Sequence, residues 1–175
     1  VDNLDDPAIV KWSTEFETIL KQSQIEQGCF DFKIGFCDLR TGEFNEKAFL
    51  KGIKTLTAMA NKGTGSVGYV IAGVADKKED AECIEKKYRK YEAIVRENYY
   101  ITGLNYDIDA LKLSADRYFQ KLIQILEKAP IEEKYKSYIG NNIKFLRYGD
   151  KDILVMKVMG LDSPAIYDNE YYQRM

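Results

Sequence analysis

The sequence predicts an α+β domain, with a mixed or antiparallel sheet packed by helices. Three observations point there. Phe30, Phe32 and Ile34 alternate with Asp31 and Lys33, the period-two pattern of a half-buried strand. Tyr148-Gly-Asp-Lys151 stands between two strand-like runs as a hairpin signal. The stretches with apolar residues at helical spacing do not alternate regularly with strands, which argues against a doubly wound parallel sheet.

The elements follow in order. Asp6-Pro7 reads as an N-cap with proline at the first helical position. Ile9, Trp12, Phe16, Ile19 and Leu20 then share one face of an amphipathic helix over about 7–22. A strand is expected over about 29–36, and 37–45 is a polar turn region containing Thr41-Gly42. Phe49, Ile53, Leu56 and Ala60 make the apolar stripe of a helix over 46–60, with Lys47, Lys51, Lys54 and Lys62 elsewhere. The loop Asn61-Lys-Gly-Thr-Gly-Ser66 either cradles an anion with its amides or simply makes a tight helix-to-strand turn. It lacks the Lys-Ser/Thr ending of a nucleotide-binding P-loop.

A second strand is expected over about 67–74, running out of the core at Asp76. A third helix is expected over about 79–97, with Ile84, Tyr88, Tyr91 and Val95 on one stripe. Glu82 with Lys86 and Glu85 with Arg89 would pair along it. Residues 99–105 read as a short strand and turn. Ser114 caps a helix to about residue 127, with Tyr118, Leu122, Ile125 and Leu126 inward, and Pro130 ends it. A helix at about 132–139 precedes strands at about 143–147 and 152–158.

Composition bounds the function. The chain has 175 residues, enough for one domain with its own core, and its 45% hydrophobic content argues against disorder. A net charge of −2 excludes a globally basic nucleic-acid binder but not a local basic groove. Cys29, Cys37 and Cys83 with no histidine leave no Cys/His zinc site. With no signal peptide and no run able to span a bilayer, the expectation is a cytoplasmic protein with reduced thiols and no membrane partner. Thirteen tyrosines are a surplus. Tyr167, Tyr171 and Tyr172 are candidates to stack on a partner or a second copy.

The candidate chemistry lies around the first two strands. On the first, Asp31 and Lys33 point away from the aromatic face. Glu26 is an odd number of residues from Asp31, and Gly28 between them supplies a turn or bulge that brings it round. Asp76 ends the second strand. Three carboxylates, Glu26, Asp31 and Asp76, with Lys33 beside them, would then gather at one corner of a sheet. Like charges at short range call for a cation, and magnesium or manganese takes such oxygen ligands. The alternative is that Asp31 and Lys33 simply occupy the solvent face of the strand.

The motifs carry a resemblance. Glu26-x4-Asp31-Phe-Lys33 resembles the Glu-Ser-x3-Glu-Phe-Lys signature of the Schlafen AlbA-type domain. Ile53-x-Thr55-Leu-Thr-Ala58-Met-Ala60-Asn61-Lys-Gly63 is similar to that family's helix end, and Tyr69-Val-Ile-Ala-Gly73-Val74-Ala-Asp76 to its following strand. Ile101-Thr-Gly103, Ile153-Leu-Val-Met-Lys-Val158, Pro164 and Tyr171-Tyr-Gln-Arg174 are similar to its weaker tail. Asp31 stands where the family has Glu, no Ser follows Glu26, and Gly63-Thr-Gly65 replaces paired glycines. The resemblance runs from about residue 26 to the end. With a chain that begins at Val1 and stops inside the final motif, it implies one domain, 1–175, cut from a longer protein.

What the resemblance implies is a Mg2+- or Mn2+-dependent nuclease, an endoribonuclease acting on structured RNA such as transfer RNA, in the manner of a bacterial defence effector. Glu26, Asp31 and Asp76 would be its metal ligands and catalytic carboxylates, with Lys33 beside them. The alternative is a non-catalytic DNA- or RNA-binding module that holds phosphates through Lys62, Lys77, Lys78 and Arg174. A third possibility is a dimerising regulatory domain. A homodimer or partner domains in a longer chain are expected by the same resemblance.

Overall fold

Helix α1 (Pro7–Ser23) leads through a 3-10 turn, Gln27–Cys29, into strand β1 (Phe30–Lys33). Helix α2 (Glu46–Ala60) follows, then β2 (Val67–Ala72), β3 (Val74–Ala75), α3 (Lys78–Lys87), β4 (Ile94–Arg96) and β5 (Tyr99–Ile101). The second half runs α4 (Asn105–Leu111), α5 (Ala115–Glu127), α6 (Glu133–Asn141), β6 (Lys144–Tyr148), β7 (Lys151–Met159), β8 (Ile166–Tyr167) and β9 (Glu170–Tyr171). This computed structural model describes residues 7–87 and 92–174, with side chains for 11–86 and 92–174. Asp6, Ile9, Tyr88, Arg89 and Tyr91, named above, fall outside those limits or have undescribed side chains.

The main sheet has the order β1-β2-β7-β6. β1 runs parallel to β2, and the other pairs are antiparallel. The fold is thus α+β with a mixed sheet, as the sequence predicts. Register places Asp31 opposite Val70 and Lys33 opposite Ala72, so Phe30 and Phe32 share the other face with Tyr69 and Ile71. Val70 and Ala72 pack with Phe49, Ile53 and Leu56 of α2, Leu122 of α5 and Ile139 of α6. Phe30 and Ile71 pack with Phe16 and Leu20 of α1. Helices therefore cover both faces of the sheet. Trp12, expected on the buried stripe of α1, is 42% exposed.

Helix α2 matches its expected span. Asn45 caps it by accepting from the Ala48 amide at 3.2 Å, a contact worth about 1 kcal/mol. Ser114 caps α5 in the same way, and Tyr118, Leu122, Ile125 and Leu126 are all buried.

Several boundaries differ from expectation, each for a physical reason. β1 stops at Lys33 rather than residue 36, because the Phe36 and Cys37 amides turn to the buried Asp107 carboxylate at 2.7 and 3.2 Å. The single strand expected over 67–74 is two strands. Gly73 between them has φ +96°, and a Cβ there would lie 3.1 Å from the Asp152 carbonyl oxygen, so only glycine makes the break.

The third helix ends at Lys87, and Ile94–Arg96 is a strand. Val95, expected on its apolar stripe, is exposed and pairs with Tyr100. Glu97 and Asn98 have φ of +50° and +68°, the two-residue turn that suits a right-twisted hairpin. β-branched Ile94 and Val95 and a left-handed asparagine together outweigh the helical spacing. Glu82 pairs with Lys78 at 3.9 Å, and Glu85 accepts from the Ala93 amide at 2.9 Å. Helix α4 and the small hairpin β8–β9 were not expected.

Candidate functional site

β1 is an edge strand, and its edge meets the end of α1, the β4–β5 turn and the C-terminal tail. A cavity of about 620 Å³ opens there. Asp31, Asp76 and Arg174 supply the charges on its wall. Phe32 and Tyr99 supply aromatic faces, with ring centroids 4.5 Å apart at 30°. Gln24, Gln27 and Asn98 supply carboxamides. Each element has a local reason to arrive. The 3-10 turn aims the chain into β1, Gly73 ends β2 so that β3 delivers Asp76, and the Glu97-Asn98 turn brings Asn98 and Tyr99 forward.

Of the residues singled out by sequence, the cavity brings together Asp31, Asp76 and Arg174. Glu26 is exposed, at the N-cap of the 3-10 turn, and is not on the lining although its neighbour Gln27 is. Among the described residues no three Cys, Asp or Glu side chains group closely enough to hold a metal ion. The expected three-carboxylate corner is therefore two carboxylates here. The turn at Gly28 does bend the chain, but it leaves Glu26 on the outside.

Lys33 reaches the site through Asp31, whose Oδ2 lies 3.1 Å from its Nζ, with both side chains about a quarter exposed. That same Oδ2 is shielded from solvent and takes no hydrogen bond among the described residues. Arg174 has the complementary defect: its Nη1 is shielded and donates to nothing described. Asp31 Oδ2 is met by the Lys33 ammonium, whereas Arg174 Nη1 is a shielded donor on the same cavity wall with no described acceptor. Hard carboxylate oxygens suit Mg2+ or Mn2+, and magnesium is commonly held by one or two carboxylates plus waters and substrate phosphates. In donor type, Asp31 and Asp76 fit such an ion.

The lysines expected to bind nucleic acid are scattered. Lys77 and Lys78 are exposed immediately after Asp76, at the start of α3. Lys62 lies against the 3-10 turn, with its Nζ 3.9 Å from Cys29 Sγ. The glycine loop behind Lys62 is a tight turn and not a phosphate cradle. The amides of Gly63, Gly65 and Ser66 donate to the carbonyls of Ala60, Gly160 and Gly63. A Cβ on Gly160 would sit 2.0 Å from the Gly63 oxygen, so the loop is packed down on β7's exit.

Sequence reasoning missed Ser23, Gln24, Gln27, Asn98 and Tyr99. Asn98 carried a signal, because Asn is among the few residues that accept positive φ, but it fell just past the end of an expected helix, where no turn was read. The others are ordinary polar residues that only the tertiary fold assembles. No protein-family model, curated protein or solved structure matches this chain significantly. The resemblance to the Schlafen AlbA-type domain accordingly rests on the motif residues quoted above.

Proposed function

We propose that this domain is a divalent-metal-dependent nuclease acting on structured RNA such as transfer RNA. The observation that carries the reading is the shared wall of Asp31, Asp76 and Arg174 on one open cavity, with a shielded Arg174 Nη1 that donates to no described residue. The Arg174 guanidinium pairs with a phosphate through two parallel hydrogen bonds and fixes the backbone. Asp76, the more exposed carboxylate, accepts the proton of the attacking water. Lys33 moves from Asp31 to the phosphate as negative charge develops there. A bound Mg2+ or Mn2+ would supply Lewis-acid polarisation of the phosphate and a more acidic water. Asp31 and Asp76 would hold it, and Glu26 would join only if its turn swung inward.

A second reading, a non-catalytic nucleic-acid-binding module, draws on the Asp31–Lys33 ion pair and the outward Glu26. One experiment separates them. The domain is incubated with transfer RNA and with double-stranded DNA, in Mg2+, in Mn2+ and with chelator. Metal-dependent cutting of RNA that disappears in Asp31→Asn and Asp76→Asn supports the nuclease. Salt-sensitive retention without cutting, unchanged by those substitutions but weakened by Arg174→Ala, supports the binder.

A further inference from the structure

The polar groups of the cavity fall into two kinds. Ser23 Oγ and Tyr99 Oη are committed to each other at 2.7 Å, and Gln24 Nε2 donates to the Glu97 carbonyl. The side chains of Gln27 and Asn98, by contrast, are solvent-exposed on the cavity lining and make no hydrogen bond among the described residues. Each carboxamide presents a donor and an acceptor side by side. Asn98 is also held in place. Its turn fixes φ at +68°, and the Gln24 hydrogen bond to the preceding carbonyl clamps that turn to α1. Phe32 and Tyr99 sit half-buried next to them, their rings packed against each other with centroids 4.5 Å apart at 30°.

We propose that the cavity takes a single unpaired nucleobase, adenine in preference, with Asn98 and Gln27 reading its edge. This rests on the nucleic-acid reading above and narrows its substrate to the loops and ends of a structured RNA. The cavity volume of about 620 Å³ is that of a small-molecule pocket. A base inside a duplex cannot reach such a pocket, whereas a splayed or extruded one can. Unpaired bases are recognised by stacking on aromatic side chains and by hydrogen bonds to their exposed edges. A carboxamide matches adenine, which offers an amine donor beside a ring-nitrogen acceptor. Arg174, on the same wall, holds the adjoining phosphate whatever the base. The site therefore separates a reader of base identity from a holder of backbone.

The test uses fluorescence anisotropy of the chain with short labelled single-stranded oligouridine. One strand carries a central adenine, one a central abasic site, and a blunt RNA hairpin serves as the paired control. Wild-type protein is expected to prefer the adenine strand to the abasic one by about tenfold, and to bind the hairpin more weakly than either. The double variant Asn98→Gly, Gln27→Ala keeps the left-handed turn and is expected to erase that preference. Arg174→Ala lowers affinity for both single strands alike. Equal wild-type affinity for the adenine and abasic strands, or a double variant that keeps the preference, overturns the inference. Either result with binding intact leaves the nucleic-acid reading standing. No binding of any strand at low salt brings down both.

Discussion

Asp31 lies on β1 and Asp107, from α4, holds the exit of that strand, and the two aspartates live in opposite circumstances. Asp107 is 1% exposed. It accepts from the Phe36 amide at 2.7 Å, from the Cys37 amide at 3.2 Å and from the Tyr118 hydroxyl. Both of its oxygens are occupied, and together they tie the exit of β1 to α4 and α5. Asp31, on β1 itself, has a single described partner, the Lys33 ammonium 3.1 Å from its Oδ2, and both side chains are about a quarter exposed. The first arrangement spends a carboxylate on holding the fold. The second keeps one available, at the edge of a cavity, where a ligand can use it.

The largest effect should come from breaking the satisfied member. Asp107→Ala leaves two buried amides and a buried hydroxyl without an acceptor, each worth about 1–3 kcal/mol. Loss of at least about 3 kcal/mol of unfolding free energy is expected in urea titration. Gly35→Ala should act on the same clip, since a Cβ there would lie 2.8 Å from Asp107 Oδ1.

The loosely held member should behave the other way round. Asp31→Asn is nearly isosteric and removes only a partly exposed ion pair, so stability should change by less than about 1 kcal/mol. Metal-dependent cleavage of transfer RNA should nevertheless fall about a hundredfold or more. A variant that loses stability and activity together would erase the contrast between the two aspartates.

The contrast also marks what the sequence could and could not reveal. The side of β1 that Asp31 takes was legible, because alternation sets it opposite Phe30 and Phe32, although that face of the sheet is covered by helices rather than left to solvent. Helices α2 and α5 were legible for the same local reasons, an apolar stripe and a capping side chain. Asp107 was not. It stands in Asn-Tyr-Asp-Ile-Asp, where nothing nearby distinguishes it from its exposed neighbour Asp109. Its partners lie 71, 70 and 11 residues away. Glu26 failed in the opposite sense: motif spacing placed it beside Asp31, and the backbone of a three-residue turn directs it outward. Periodicity reports faces of elements. It does not report which loops converge.

A smaller effect is expected in the pH dependence of stability. Burial raises the pKa of Asp107 above its ordinary 3.8, against the opposing hydrogen bonds from Tyr118, Phe36 and Cys37. The unfolded chain releases that proton near 3.8 while the folded chain still holds it. Between the two values the folded state binds more protons, so this contribution to stability is full below 3.8 and declines as pH rises through the folded value. Its neighbours Tyr118 and Cys37 are both shifted upward and do not titrate in that window. The slope is at most about 1.4 kcal/mol per pH unit. Subtracting an Asp107→Asn curve from the wild-type curve isolates it, and a difference that rises with pH would contradict the assignment.

The finest test uses the cysteine beside each site. Cys37 is 9% exposed, and burial first, then the Asp107 charge, pushes its thiol up to about 12. At pH 8 it is almost wholly protonated and inert. Cys29 is half-buried in the 3-10 turn, near the Lys62 ammonium, and Cys83 is exposed on α3. A charged alkylating reagent should therefore label Cys83 first, Cys29 next, and Cys37 only after unfolding. Transfer RNA bound at the cavity should slow labelling of Cys29, whose turn carries the lining residue Gln27, and leave Cys83 less affected. Protection of Cys83 alone would move the bound nucleic acid off β1 and onto α3, where Lys77 and Lys78 would become its holders.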